Sequence, residues 1–296
     1  MFIISGYLFF LKFERSISGF TNQYRKRFRS LVVPYFLWST WSLLYFFILQ
    51  LFPQARPFFY NDLVVNYSFA TFFDKIVIHP HAYQLWYVRD LIMIVAFSPL
   101  IYGVIKYLKV LSIIVLFIFW VLFENIFGFA EQSYLIFFGV GAFISIQKKS
   151  YLLTVFHQKL GWLFLIIFIL TTFLKTILVV QNSPQPLLRI FLDNLSHLSG
   201  IIAVWCLYDT IIVLIKQKFF NKIMYGSSIC FFIYAFHEPI LITIKKGLFY
   251  FLEPVKFGSM VVYIVAPTVT IILSIVCGHL TKKYFPKFYS VITGGR

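Results

Sequence analysis

Long apolar runs separated by short basic segments recur from one end of the chain to the other. Runs over residues 31–52, 85–105, 110–127, 134–146, 160–180, 195–215, 227–244 and 260–280 predict eight membrane-crossing helices. The reasoning is one of length, because a hydrocarbon core about 30 Å thick takes about 20 apolar residues at about 1.5 Å each. Residues 1–13 are apolar but short of a full crossing, and predict the end of a partial one. They lack a charged leading region and a small-residue cleavage site, so they do not read as a signal peptide. Charge sets the direction of each crossing, because Lys and Arg stay on the cytoplasmic side. The segments this order assigns to that side hold 18 of the 26 Lys and Arg, and shifting the order by one span would reverse the bias. The expected fold is all-α: a polytopic integral membrane helical bundle with eight full spans plus a partial N-terminal one, in a single domain over residues 1–296.

Composition narrows the class further. The chain is 60% hydrophobic and 12% charged, with mean hydropathy +0.86, whereas soluble domains carry about 25% charge. Aromatics at 22% suit a lipid-facing exterior with interfacial belts. A net charge of +16 would also suit nucleic acid. The cations, however, lie between apolar runs in alternate loops, so membrane lipids are the expected partners and nucleic acid is not. Cys206, Cys230 and Cys277 fall inside apolar runs without ligand spacing, so neither a metal site nor a disulfide framework is expected. His79-Pro80-His81 is too sparse a set for a metal and reads as a solvated loop.

The stretch that carries chemistry is Cys230-Phe231-Phe232-Ile233-Tyr234-Ala235-Phe236-His237-Glu238-Pro239-Ile240. Ionisable groups at membrane depth are costly and face a bundle interior or a watery cavity. At helical spacing Tyr234, His237 and Glu238 share one face, with Cys230 a turn earlier. Pro239 removes an amide and leaves the Ala235 carbonyl free, which predicts a kink. The competing reading is a His-Glu pair that only pins two helices together. Arg25-Lys26-Arg27-Phe28-Arg29 forms a basic loop that either anchors the inner leaflet or grips phosphate. Trp86, Arg89 and Asp90 open another span near its outer end. Arg89 and Asp90 are adjacent and are expected to have separate partners, while Trp86 and Arg89 could share a face. Either they anchor the interface or they line an outward pocket for a polar substrate. Glu124, Glu131 and Asp193 lie near outer ends and read as solvated; Asp209 is deeper and needs a partner. There is no Gly-x-Ser-x-Gly elbow, no Gly-rich phosphate loop and no His-Glu-x-x-His zinc helix.

Taken in order, Ile4-Ser5-Gly6-Tyr7-Leu8, the basic loop running into Pro34-Tyr35-Phe36-Leu37-Trp38, Leu85-Trp86-Tyr87-Val88-Arg89-Asp90-Leu91, Phe138-Gly139-Val140-Gly141, and Phe232 to Pro239 resemble the membrane acyltransferase 3 family over nearly the whole chain. The resemblance implies a bacterial inner-membrane enzyme that moves an acyl group, commonly acetyl, from cytoplasmic acyl-coenzyme A to a sugar hydroxyl of an envelope polysaccharide. It implies no bound cofactor, with acyl-coenzyme A as co-substrate and an envelope carbohydrate as acceptor. The family's Arg-x-x-Arg element falls here on Lys26 and Arg29, as donor-binding residues, with lysine in place of one arginine. Read from the residues themselves, His237 and Glu238 are the catalytic candidates, in a supporting role that lines the site, holds the acceptor or tunes the histidine of the family's first helix, and Trp86, Arg89, Asp90 and Tyr234 are the substrate-binding ones. The family's first helix, with a basic residue and, eleven positions on, the histidine held to be catalytic, has no counterpart, since Met1 falls inside what would be the second; a truncated, inactive relative is therefore one alternative. Another function class, a transporter or flippase of a lipid-linked sugar, draws on the same intramembrane polar stripe. It expects paired interrupted helices in two matching halves, which are not evident.

Overall fold

The structure is a computed structural model and describes the chain except residues 15, 60–62, 123–131, 148–157, 183, 215–216 and 296. Glu124, Glu131 and the side chain of Asp209 lie outside the described residues, as do Arg15, Lys148, Lys149, Lys216 and Arg296 of the inner cations. Among the described residues the chain is helical without strands: α1 (Phe2–Leu11), α2 (Ile17–Arg27), α3 (Val33–Gln50), α4 (Phe69–Val77), α5 (Trp86–Ala96), α6 (Ser98–Leu108), α7 (Val110–Leu122), α8 (Gln132–Ile146), α9 (Gln158–Val180), α10 (Pro186–Leu214), α11 (Gln217–Leu252), α12 (Gly258–Tyr284) and α13 (Pro286–Thr293).

Apolar side chains face outward along whole helices. Only 6% of the apolar window of α9 and 22% of that of α12 are buried. Continuous exposed hydrophobic surface of this length is tolerated only against lipid. The chain is thus a multi-pass membrane protein with an all-α bundle. Among the described residues five helical segments are long and apolar enough to cross, or six if the bent α5–α6 pair is one span. The eight crossings expected from hydropathy include α7 and α8, whose described lengths are 13 and 15 residues.

Two local outcomes differ from the sequence expectation. The basic segment is not a loop. It is helical as α2, capped by Ser16, whose Oγ accepts from the Gly19 amide at 3.1 Å. It joins α3 through one π turn, Phe28–Val32. Pro34 explains the widened turn, because it has no amide to offer the Ser30 carbonyl four residues back. The second difference is the run over 85–105, which bends by 59° between α5 and α6. Ser98-Pro99 starts the new helix there, and Tyr24 Oη donates to the Ala96 carbonyl at 3.1 Å.

The chain divides into two compact units, residues 1–147 with 225–296, and residues 148–224. In the first, α1 and α8 touch backbone to backbone. A side chain at Gly6 would run into the Phe138 carbonyl, and one at Gly141 into the Ile3 carbonyl. Small residues are what permit so close an approach of membrane helices. The helices α3 and α11 lie side by side and run the same way, since Trp38 packs on Phe232 and Phe236, and Tyr45 donates to Thr243 Oγ1 at 3.0 Å. The helix α13 packs against both. Trp38 Nε1 donates to the Ile292 carbonyl at 2.8 Å, and Tyr289 Oη to the Ser228 carbonyl at 2.9 Å. Gly294, at φ +70°, lies against the Ser30 carbonyl, where a side chain would not fit. In the second unit α9 and α10 pair through Gly161, against Cys206 and Leu207. Asp193, expected to be solvated, forms an ion pair with Lys175.

Candidate functional site

Pro239 lies inside α11, which continues through it without a break. The carbonyl that it orphans, that of Ala235, accepts from the Gln84 side-chain amide at 3.3 Å. The same Nε2 reaches the Tyr234 carbonyl at 3.2 Å, and Tyr234 Oη in return donates to the Gln84 carbonyl. Gln84 lies in the short 3₁₀ turn Tyr83–Leu85 that leads into α5, and it is buried, at 6% exposure. Helical spacing predicts the orphaned carbonyl but not the residue that satisfies it. The one signal in the sequence is an amide side chain placed just before the Trp86 motif.

His237 sits one turn beyond this clasp. Its Nδ1 lies 2.9 Å from the Tyr234 carbonyl and 3.0 Å from that of Ile233. Both partners are acceptors only, so Nδ1 is the donor in these contacts, and in the uncharged form of the ring the lone pair falls on Nε2. Glu238 is 4% exposed, and its Oε2 stands 3.7 Å from that Nε2. This is ion-pair distance but beyond a hydrogen bond. The two neighbours therefore face each other more closely than a 100° separation suggests. Cys230 is off the stripe: it is exposed and its thiol donates to the Gly226 carbonyl of its own helix.

Arg89 and Asp90 meet directly, Nε to Oδ1 at 2.7 Å, which corrects the expectation of separate partners. Asp90 is 1% exposed. Arg89 also donates from Nη1 to the Ile78 carbonyl at 2.7 Å. That oxygen belongs to a set left open at the C-terminal end of α4. Tyr35 Oη takes the Val77 carbonyl at 2.7 Å and Ser39 Oγ the Ile76 carbonyl at 2.7 Å. A guanidinium at a helix C-terminus is also favoured by the helix dipole. Asp90 lies within electrostatic range of the phenols of Tyr35 and Tyr234, so the start of α5 and the polar stripe of α11 belong to one neighbourhood. Trp86 turns elsewhere: it is 36% exposed and stacks on Tyr134 with centroids 5.2 Å apart.

Lys26 and Arg29 are exposed, Lys26 on the last turn of α2 and Arg29 in the π turn. Arg27, between them, faces inward over the Phe9 ring at 5.8 Å. Arg29 is nine residues before Trp38, and Trp38 is level with Phe236. The cations are therefore offset from His237 along the α3 axis by about 14 Å. His79 and His81 do not converge. His79 pairs with Asp74 at 2.9 Å, and His81 bonds Tyr67 Oη at 3.0 Å. Among the described residues no three His, Cys, Asp or Glu come together as metal ligands.

A membrane bundle with a polar stripe in one helix, a buried ion pair beside it and exposed cations at the start of α3 is the architecture of a membrane-embedded enzyme or carrier. Comparison with known proteins decides between them. Residues 1–279 match the acyltransferase domain of the acyltransferase 3 family, and the chain belongs to that family. It is an acyltransferase. It is also 23% identical over 307 residues to the succinoglycan biosynthesis protein ExoH of Rhizobium meliloti (strain 1021), covering 99% of this chain and 77% of that protein. No solved structure matches it significantly.

Proposed function

We propose that the protein moves an acyl group, acetyl in the first instance, from acyl-coenzyme A on the cytoplasmic side of the inner membrane to a hydroxyl of an envelope polysaccharide. The polysaccharide class is suggested by the role in succinoglycan biosynthesis for which the ExoH relative is named. Lys26 and Arg29 hold donor phosphates, which exposed cations at the inner end suit. Lysine contributes a point charge where arginine contributes a fork. The flexible arm of the coenzyme then spans the offset towards His237.

The observation that carries this reading is the placement of His237 Nδ1 against two carbonyls of its own helix. With Nδ1–H tied to two helix carbonyls, Nε2 is left as an acceptor at membrane depth beside a buried carboxylate. Such a nitrogen accepts the hydrogen bond of a sugar hydroxyl and draws its proton as the oxygen attacks the thioester carbon. The C–S bond then breaks, and the coenzyme thiolate leaves and is protonated. Glu238 favours the imidazolium as it forms. Tyr234, Arg89 and Asp90 line the acceptor side, and Trp86 supplies an aromatic surface at the interface.

The test is acyl transfer by membranes containing His237→Ala. Turnover falls while the variant still inserts and accumulates. Unchanged turnover would remove His237 from the reaction.

A further inference from the structure

We infer that Gln84 is a positioning residue for His237, acting through the carbonyls that Pro239 disturbs; this rests on the reading of His237 as the group that receives the acceptor hydroxyl. The Tyr234 carbonyl oxygen accepts both from Gln84 Nε2, at 3.2 Å, and from His237 Nδ1, at 2.9 Å. The side chain that closes the gap left by Pro239 is thus one atom removed from the bond that sets the imidazole. The amide can serve in one orientation only, because a half-turn would bring Oε1 against two carbonyl oxygens. Among the described residues Oε1 has no hydrogen-bond partner. An unpaired buried acceptor is unfavourable, and the two bonds from Nε2 offset that cost. The bond from Tyr234 Oη to the Gln84 carbonyl holds the backbone of the 3₁₀ turn against α11 from the other direction. Gln84, Tyr234 and Pro239 therefore form one unit, with α5 and its Arg89–Asp90 pair attached immediately after it.

The function of the unit is to keep His237 Nδ1 protonated and Nε2 directed at the acceptor. Without the Gln84 amide, the Ala235 carbonyl loses its donor, and the turn of α11 whose Ile233 and Tyr234 carbonyls hold Nδ1 is no longer fixed from outside the helix. A misplacement of about 1 Å is enough to cost up to about 100-fold in rate.

Gln84→Met keeps length and removes the donor. It is expected to lower kcat by about 10- to 100-fold with KM for the acyl donor little changed. Pro239→Ala restores an amide for the Ala235 carbonyl, so the further loss from Gln84→Met is expected to be smaller in that background. An equal loss in both backgrounds overturns the proposal. If Gln84→Met fails to accumulate in membranes, the double variant is expected to recover accumulation, and no recovery overturns it as well. A readout independent of transfer is the ¹⁵N imidazole spectrum of histidine-labelled protein, with His237 assigned by its loss in His237→Asn. Gln84→Met shifts His237 from the Nδ1–H form towards a mixture, and an unchanged tautomer overturns the positioning role. If the wild-type protein transfers no acyl group and the tautomer still shifts, the positioning stands and the enzymatic reading falls.

Discussion

Arg89 and Asp90, neighbours in the chain, are bonded to each other at 2.7 Å, and the same guanidinium closes the C-terminal end of α4 through the Ile78 carbonyl. The long arginine stem folds back along the helix, so a separation of about 100° between adjacent positions does not keep the two heads apart. Removing the cation leaves a buried carboxylate. Arg89→Ala is expected to cost about 3–5 kcal/mol, read as a fall in the thermal midpoint of the detergent-extracted protein. Arg89→Lys recovers only part, since one ammonium cannot reproduce the two directed donors.

The contact of α1 with α8 makes an opposite pair of predictions at glycines. Gly6→Ala places a methyl group into the Phe138 carbonyl and forces two backbones apart, so loss of folded protein on size-exclusion chromatography is expected. Gly103 lies in α6, and a methyl group there would have open space for 4 Å around it. Gly103→Ala is therefore neutral or stabilises by about 0.5–1 kcal/mol.

Trp38 ties α3 to α13. Trp38→Phe keeps the ring against Phe232 but loses the bond to the Ile292 carbonyl, at about 1 kcal/mol. Limited proteolysis of the detergent-extracted protein is expected to cut before α13 sooner in the variant than in the wild type.

If Arg29 holds a donor phosphate as proposed, Arg29→Gln is expected to raise KM for the acyl donor about tenfold, the loss of one charge-assisted contact. The effect weakens as salt rises, because both Lys26 and Arg29 are exposed. Steady-state kinetics at two ionic strengths measure it. A change in kcat alone would place Arg29 outside the donor site.

Hydropathy locates the helices well where a run is long and uninterrupted, as in α9 and α12. It fails at the basic segment, because low hydropathy does not imply irregular backbone. Ser16 caps a helix there that continues into the next span through a π turn. The run over 85–105 reads as continuous because Ser98-Pro99 is a small interruption in an apolar stretch. Only the packing of Tyr24 against Ala96 and Ser98 shows how the bend is held. Of the candidate site, the polar face of α11 and the free carbonyl beneath Pro239 are legible from helical spacing, whereas the 3.7 Å approach of Glu238 to His237 is not. Gln84 is not, because a lone glutamine before an aromatic motif carries no periodic signal.

What the sequence determined by itself is therefore the set of elements each segment forms alone: apolar lengths that match a bilayer, and a proline that strips one carbonyl of its donor. These are local demands, met by the lipid and the helix ladder without reference to the rest of the chain. Which side chain answers that carbonyl, 151 positions away, and which oxygen Arg89 takes from α4 were decided only by tertiary structure. In an apolar interior an open polar group must find a partner among whatever the packing brings within reach, and that choice is made in space.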